Sequence, residues 1–560
     1  MHKILPLFLF IFLSIFNASG QFFPTKQYPQ QYFQWPTNAK VGIVANFGEL
    51  RPNHYHMGLD VRTDSKENMN VLAAAEGFVA KVHIDATGFG RALYIQHPNG
   101  YTTLYAHLNN FSPEIERYVR EQQYLLQQWK IDLEIPAGKL PVKKGQFIAF
   151  SGNTGGSQGP HIHFEIRETA TDKVMNPLLF GMPIPDWQAP DVYRLAVYDR
   201  TKSTLEQSPR LIPVKKSGNT YTIPGGSINF PSSKVSFAIT AFDRYTGSTN
   251  QNGIYSSIVY DNGEAIAGFE LNRISYDETR TLNGHIDYRL KAHGGPYVQH
   301  ISPLPGCMDV IYNTKPGTDG IIDLSDLQSH EIIIEVKDVA GNSSKVRFSI
   351  TGNKKDEQPT DKSAYFEAGK MNIKEHEDMM LYMPETCLFD GFHFNLNKNA
   401  SGYLLEGDDI PVNDYYTVYL KQDVSYADTG KMVMKIKTRE KERFKKAVYV
   451  NGFFKSSFRD LGSAVLILDK TPPVVTPLFG FHDGMRWKTG TIGFSVTDNT
   501  KEIASFNAYL DGKWLLFSND KGKNFIYKAD EHCLPGEHNL LLVVIDLAGN
   551  TTEKNYHFYR

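Results

Sequence analysis

The sequence predicts a mainly β, multi-domain protein. Three observations carry this. Segments such as I-H-F-E-I-R at residues 162–167 alternate apolar and polar side chains with the period of a strand. An internal echo links H-E-I-I-I-E-V-K-D-V-A-G-N-S-S, from His330, to H-N-L-L-L-V-V-I-D-L-A-G-N-T-T, from His538; each is a long apolar strand closing on an aspartate and an A-G-N turn. The composition, 12% aromatic with 30 Tyr and 35 Phe, suits a globular, β-rich, exported protein. A length of 560 residues predicts three or four domains.

Met1, His2 and Lys3 form a short basic start, and residues 4–16 are an apolar run too short for a comfortable membrane span. Ala18-Ser19-Gly20 is a small-residue cleavage site before Gln21, so residues 1–20 read as a secretory signal peptide. No cysteine follows it to suggest a lipid anchor, and no later segment reads as a membrane span. The expected location is therefore exported: periplasm, cell envelope or outside the cell. A net charge of −2 implies no affinity for nucleic acid or anionic membranes.

The richest chemistry lies in the first third. His56, Gly58 and Asp60 form H-x-G-x-D, and His161 and His163 form H-x-H in G-P-H-I-H-F-E. Between them His107 sits in Y-A-H-L. Two imidazoles and one carboxylate leave one position of a tetrahedral Zn²⁺ free for water, as a catalytic zinc requires. On a strand, His161 and His163 share one face. His54 is a rival ligand outside the H-x-G-x-D spacing. The glycines at 58, 155, 156 and 159 allow close backbone approach.

Residues 33–167 resemble the catalytic domain of LytM/lysostaphin-type zinc endopeptidases. The resemblance rests on F-Q-W-P at 33–36, V-L-A-A-A-E-G-F-V-A-K-V at 71–82, G-F-G-R-A-L-Y-I-Q-H-P-N-G-Y-T-T-L-Y-A-H-L at 88–108, and V-K-K-G-Q-F-I-A-F-S-G-N-T-G-G-S-Q-G-P-H-I-H-F-E at 142–165. It covers about a quarter of the chain. It implies an antiparallel, barrel-sandwich-like β domain with one zinc per chain, held by His56, Asp60 and His163. His107 and His161 would be the catalytic histidines, polarising the attacking water and stabilising the oxyanion. None of the five positions is substituted. His97, in I-Q-H-P-N-G, belongs to the turn pattern and reads as structural. There is no H-E-x-x-H glutamate to act as base, and neutral histidines suit that task near neutral pH.

The sequence departs from this resemblance after Y-A-H-L, where about thirty extra residues intervene. Ser112, Pro113 and Glu114 read as a helix start. Ile115, Tyr118, Val119, Leu125, Leu126 and Trp129 recur at helical spacing. This predicts one amphipathic helix inserted beside the cleft, packed on its flank or covering it as a lid.

The remainder reads as β-sandwich modules. D-W-Q-A-P-D-V at 186–192 resembles D-K-T-P-P-V-V at 469–475, and alternating strands close on Asp243 and Asp498. With the echo around Asp338 and Asp546, this divides the chain into a catalytic domain at 21–185, an immunoglobulin-like sandwich at 186–352 with an insertion at 276–316, a β-rich domain at 353–468 behind a polar linker at 352–363, and a second immunoglobulin-like sandwich at 469–560. The catalytic domain is expected to fold alone. The turn aspartates read as Asx-turn residues, with calcium as the other option. Cys307, Cys387 and Cys533 are too far apart and too few for a disulfide framework and read as buried free thiols.

The expected function is an exported zinc metalloendopeptidase hydrolysing the peptide stems that cross-link peptidoglycan. The same hydrolase acting on Gly-rich proteins is one alternative. A non-catalytic envelope-binding or activator protein is another, with the β modules meeting a protein or glycan partner.

Overall fold

The computed structural model describes residues 22–307, 311–353, 364–399, 402–405, 407, 409–488, 490–522 and 524–560. The signal peptide expected at 1–20 and most of the linker expected at 352–363 lie outside the described residues. The architecture is mainly β and overwhelmingly antiparallel. Among the described residues one α-helix exceeds five residues.

The site is built on one sheet. Its strands are β1 (Ile43–Ala45), β2 (Leu59–Arg62), β3 (Gly77–Ile84), β4 (Arg91–Gln96), β5 (Tyr101–Ala106), β6 (Ile131–Glu134) and β7 (His161–Glu168), with helix α1 (Pro113–Leu126) between β5 and β6. Their order across the sheet is β1-β2-β7-β5-β4-β3-β6. β7 is therefore central, between β2 and β5. Its Ile162, Phe164 and Ile166 face the core, and alternation sends His161, His163, Glu165 and Arg167 to the opposite face. Nearly all of the strand is buried because that second face is also covered. In β3 the register shifts between Val79 and Lys81, a bulge that keeps Val79, Val82 and Ile84 on the buried side.

The catalytic unit does not close on itself. Phe47, Tyr55, Met57 and Val174 pack into the core of the following region, with Val235, Phe237, Ile334 and Phe389 among their cluster. The strand Arg273–Ile274, just before the insertion, pairs with Val174–Met175 at the edge of the catalytic sheet. The insertion carries the short helices Leu282–His285 and Tyr288–Ala292.

The sequence echo has a physical basis. β8 (Asp191–Asp199), β9 (Lys234–Phe242), β10 (Ser329–Lys337) and β11 (Ser343–Gly352) belong to two sheets over that shared core. After β10, Asn342 donates its backbone N–H to Asp338 Oδ1 (2.8 Å) and its side-chain amide to Asp338 Oδ2 (2.7 Å). β12 (Thr491–Thr497), β13 (Glu537–Asp546) and β14 (Thr551–Tyr559) repeat the device near the end of the chain. There Asn550 makes the same two bonds to Asp546, both at 2.8 Å. The A-G-N turn is thus a clamp that fixes where each long hairpin reverses. Between these regions, residues 364–468 form paired five-stranded sheets over a core that includes Leu381, Phe392 and Val418. Cys307, Cys387 and Cys533 are buried and free.

Helix α1 packs between two bodies. Ile115, Val119 and Gln123, spaced four apart, form its buried stripe. Leu125 and Leu126 are 75% and 50% exposed, contrary to the apolar face expected for them; Leu125 lies about 200° around the helix from Gln123. Ser112 makes no side-chain cap; Glu116 instead reaches back to accept from the Phe111 N–H (3.0 Å). On the outer side Arg120 pairs with Asp530, and the Tyr124 ring stacks on His532 at 3.7 Å. The helix is therefore a flank element wedged between the catalytic sheet and residues 514–532.

Candidate active site

The polypeptide reaches the site through a tight hairpin, Leu50–Arg51 against His54–Tyr55, which ends at His56. His54 points away, its Nδ1 on the Pro52 carbonyl oxygen at 2.9 Å, and takes no part. Asp60 follows on β2, directly opposite His163 on β7. Gly58 lets these strands meet: a Cβ there would lie 2.5 Å from the Phe164 carbonyl oxygen and 3.0 Å from His163 Cε1. The glycine serves strand contact, rather than approach to the metal as its motif suggested.

Three acceptor atoms converge. His56 Nε2 lies 2.9 Å from Asp60 Oδ1 and 3.0 Å from His163 Nδ1, and His163 Nδ1 lies 3.1 Å from Asp60 Oδ1. His161 Nε2 is 3.3 Å from the same Asp60 oxygen. The His107 ring lies 4.8 Å from that of His161, centroid to centroid. All five predicted residues therefore meet in one cluster, on β2 and the segment leading into it, β7 and the turn after β5. His107 sits in that turn with φ 61°, a left-handed conformation costly for a residue other than glycine and typical of functional positions.

Each histidine gives one ring nitrogen to an oxygen and turns the other toward the cluster. His56 Nδ1 donates to the Asn46 carbonyl (2.7 Å), His107 Nδ1 to that of Thr154 (2.9 Å), and His161 Nδ1 to that of Gly159 (2.8 Å). His163 Nε2 donates to Glu165 Oε1 at 2.9 Å. A carbonyl can only accept, so the bonded nitrogen carries the hydrogen and a neutral ring leaves its partner nitrogen a bare lone pair. With both rings neutral, two such nitrogens and a carboxylate oxygen about 3 Å apart form a donor set for a cation, and without a metal a proton on the rings takes its place. The residues fit a zinc ion.

Charges around the cluster agree. Burial disfavours the charged form of Asp60, but the His56 charge and hydrogen bonds from His161, His163 and His56 hold its carboxyl well below the usual range. Burial likewise opposes charge on His163, yet hydrogen bonds to Asp60 and Glu165 raise it to about 9. The centre thus demands positive charge. Burial, with the His161 and His163 charges, pushes His107 down to about 3, so its ring is neutral. His97 is buried between the Glu76 carbonyl and Thr103 Oγ1, remote from the cluster and structural.

Sequence reasoning missed the supporting residues. Glu165, fully buried, accepts from His163, from Arg167 Nε (2.7 Å) and from the Tyr276 hydroxyl. Burial acts against its charge, but Arg167 and His163 bring the carboxyl down to about 2. Arg51 holds Asp60 Oδ2 at 2.8 Å. The i, i+2 spacing of His163, Glu165 and Arg167 signals a shared face. Tyr276, about a hundred residues downstream, gives no local signal. Glu165→Gln should remove about 3–5 kcal/mol of stability by leaving the buried Arg167 with only the exposed Asp172 as a carboxylate partner, and should weaken zinc affinity by about 10–100-fold. Urea unfolding and a chelator competition titration read the two effects.

An antiparallel β sheet presenting a His-Asp-His donor set with two flanking histidines is the site of a metallopeptidase-type domain. Residues 54–128 and 133–177 match the sequence model of peptidase family M23, and this region is a peptidase M23 (LytM-type) domain. Residues 363–469 match the Zu5-like domain. The chain is 34% identical over 136 residues to an uncharacterized metalloprotease of Haemophilus influenzae, covering 24% of this chain and 22% of that protein. It is 30% identical over 162 residues to the DD-carboxypeptidase/endopeptidase Mpg of Neisseria meningitidis serogroup B, covering 29% of this chain and 31% of that one. It is 31% identical over 152 residues to the murein hydrolase activator NlpD of Salmonella typhimurium, covering 27% and 32%. The chain therefore spans under a third of the length of each of these relatives. Among the described residues no helix is long and apolar enough to cross a membrane.

Proposed function

We propose that this protein is an exported zinc metalloendopeptidase that hydrolyses peptide cross-links of peptidoglycan. The observation that carries the reading is the convergence of His56 Nε2, Asp60 Oδ1 and His163 Nδ1 within about 3 Å, with both flanking histidines in place. His56, Asp60 and His163 would hold one Zn²⁺ per chain. When bound, zinc supplies Lewis acidity, polarising a carbonyl and acidifying water at neutral pH.

The chain's own residues do the rest. Asn46, Glu165 and Arg51 orient His56, His163 and Asp60 through the bonds described above, so that the donor atoms are set before substrate arrives. His107 and His161 present their Nε2 atoms to the pocket. Either can take the proton of the attacking water at Nε2 and return it to the leaving amine nitrogen. Between those two transfers the protonated ring donates a hydrogen bond to the oxyanion.

The relatives named for endopeptidase activity and for murein support peptidoglycan as substrate. The basic and apolar run at residues 1–20, read as a signal peptide, supports export. We read residues 186–352 and 469–560 as immunoglobulin-like sandwiches, with the Zu5-like region between them, that present the catalytic domain to the envelope.

Incubating the full mature chain with purified sacculi, with and without chelator, tests the reading. Chelator-sensitive release of muropeptides cut between stem residues is the expected result. Release of nothing, together with stimulation of a separate murein hydrolase, would establish the activator alternative. Cleavage of Gly-rich proteins but not sacculi would establish the other.

A further inference from the structure

A second cation site is suggested away from the catalytic centre. Asp186, Asp243 and Asp338 come from three separate parts of the chain: the opening of the module, the end of β9 and the turn after β10. Each offers a carboxylate oxygen, and these atoms lie within 4.8 Å of one another. Asp243 and Asp338 are 1% and 4% exposed. Among the described residues no lysine or arginine pairs with any of the three. Arg244, next in sequence, turns its guanidinium to Asp191 at 2.6 Å instead.

The A-G-N turn explains only part of this cluster. Asn342 satisfies both oxygens of Asp338. Asp186 Oδ2 and Asp243 Oδ1 have no hydrogen-bond partner. A fourth oxygen, outside the acidic set, is in the same condition. Asn252 is 1% exposed, and its side-chain Oδ1 is buried and unpartnered. Its Nδ2 donates to the Asn250 carbonyl at 3.2 Å, which fixes which end of the amide is the oxygen. Asn252 stands opposite Asp243 in an antiparallel bridge, with backbone bonds of 3.0 and 2.9 Å, so the two side chains leave the same face. An unpartnered buried oxygen of this kind costs about 1–3 kcal/mol, and here two belong to the acidic cluster and a third to the residue bridged to Asp243.

We infer that Asp186, Asp243, Asp338 and the Asn252 side-chain oxygen bind a calcium ion. The donor set is all hard oxygen, with carboxylates and an amide carbonyl, and lacks the nitrogen or sulfur that zinc favours. Asp469, Asp498 and Asp546 form the equivalent triad near the end of the chain, also within 4.8 Å of one another. That triad differs: Asn499 donates to Asp469 Oδ1 at 2.9 Å, and the charge of Lys446 acts on Asp469 and Asp546. Lys446 Nζ donates to the Gly430 and Ala548 carbonyls, and Asp469 Oδ2 and Asp498 Oδ1 are unpartnered as at the first triad, but an asparagine N–H meets this triad where an asparagine oxygen stands beside the first.

The site is placed to matter. The loop from Asp243 to Gly253 carries Tyr245 and Gly253. The Asn46 side chain donates to the Tyr245 hydroxyl (3.1 Å) and the Gly253 carbonyl (2.8 Å). Asn46 is also the residue whose carbonyl orients His56. Calcium would staple the module to the catalytic domain through this loop. The inference stands apart from the proposed peptidase activity.

Calcium titration of the zinc-loaded full chain, read by calorimetry and by melting temperature, tests it without any activity assay. The expected result is one calcium per chain and a melting temperature that rises with calcium. Asp243→Asn and Asp186→Asn should each weaken binding by about tenfold or more, whereas Asp498→Asn should leave it unchanged. Asp186 is only partly buried, so its variant remains informative should Asp243→Asn misfold. No calcium uptake by the folded wild-type chain would overturn the inference. So would uptake that neither Asp186→Asn nor Asp243→Asn alters, or binding of magnesium in place of calcium.

Discussion

His163→Ala is expected to abolish zinc retention and turnover together. The substitution removes Nδ1, the atom at 3.0 Å from His56 Nε2 and 3.1 Å from Asp60 Oδ1, and leaves two donors where three met. It also strips Glu165 of one of its three partners. His107→Ala and His161→Ala should behave differently. Their outer nitrogens rest on backbone carbonyls, and neither ring supplies one of the three converging atoms. Zinc should remain near wild-type occupancy in both, while turnover falls by about 10² to 10⁴. Elemental analysis and sacculus hydrolysis on the same preparations separate the two outcomes. A His161→Ala protein that loses zinc while His163→Ala keeps it would invert the assignment within H-I-H.

The isolated segment 22–185 is expected to fail as a folded, zinc-retaining domain. Its Phe47, Tyr55, Met57 and Val174 are at most 2% exposed, yet they are buried largely by residues beyond 185. Each such side chain contributes about 1.5–3 kcal/mol on burial, so their loss amounts to roughly 6–12 kcal/mol, an upper figure because unfolded chains are partly compact. That is comparable with the about 5–15 kcal/mol that stabilises a whole domain. The same cut removes Tyr276 from Glu165, Thr279 from the Tyr55 N–H, and Gly253 from Asn46. A segment ending near residue 353 keeps all three and should recover zinc binding. Circular dichroism melts and zinc content of the two segments check this. A cooperative, zinc-loaded 22–185 would show that the shared core is dispensable.

That second expectation reverses one drawn from sequence, and the reason is physical. His56, Asp60, His107, His161 and His163 were legible because ligand chemistry demands particular residues at particular spacings on strands. The helix at Pro113–Leu126 was legible from Pro113 and the four-residue periodicity. Leu125 and Leu126 were misassigned because periodicity cannot tell a core from a polar partner such as Asp530. Phe47, Tyr55 and Met57 look like core residues in any reading, but nothing local says whose core they fill. Tyr276 and Asn46 act across long sequence separations, where a single sequence carries no pairing information. The tri-aspartate cluster lay within reach: the echo around Asp338 and Asp546 was visible, and only the meeting of Asp186, Asp243 and Asn252 was not.

The wedge of helix α1 against Asp530 and His532 also orders events in time. Arg120 and Asp530 are 410 residues apart, and Lys521 donates to the Ser157 carbonyl at 2.9 Å across a comparable gap. During synthesis the strands of the M23 domain emerge first and the residues that brace their flank emerge late. Closing so large a loop adds little to the entropy cost but delays the contact. We expect maturation to run in two stages, with a chain ended near residue 468 cleaved by added protease within residues 112–130 while the full chain resists. Equal resistance of both would show that the brace is decorative. If the stages hold, the growing chain acquires its M23 domain unbraced and secures it only after residues 514–532 have been made.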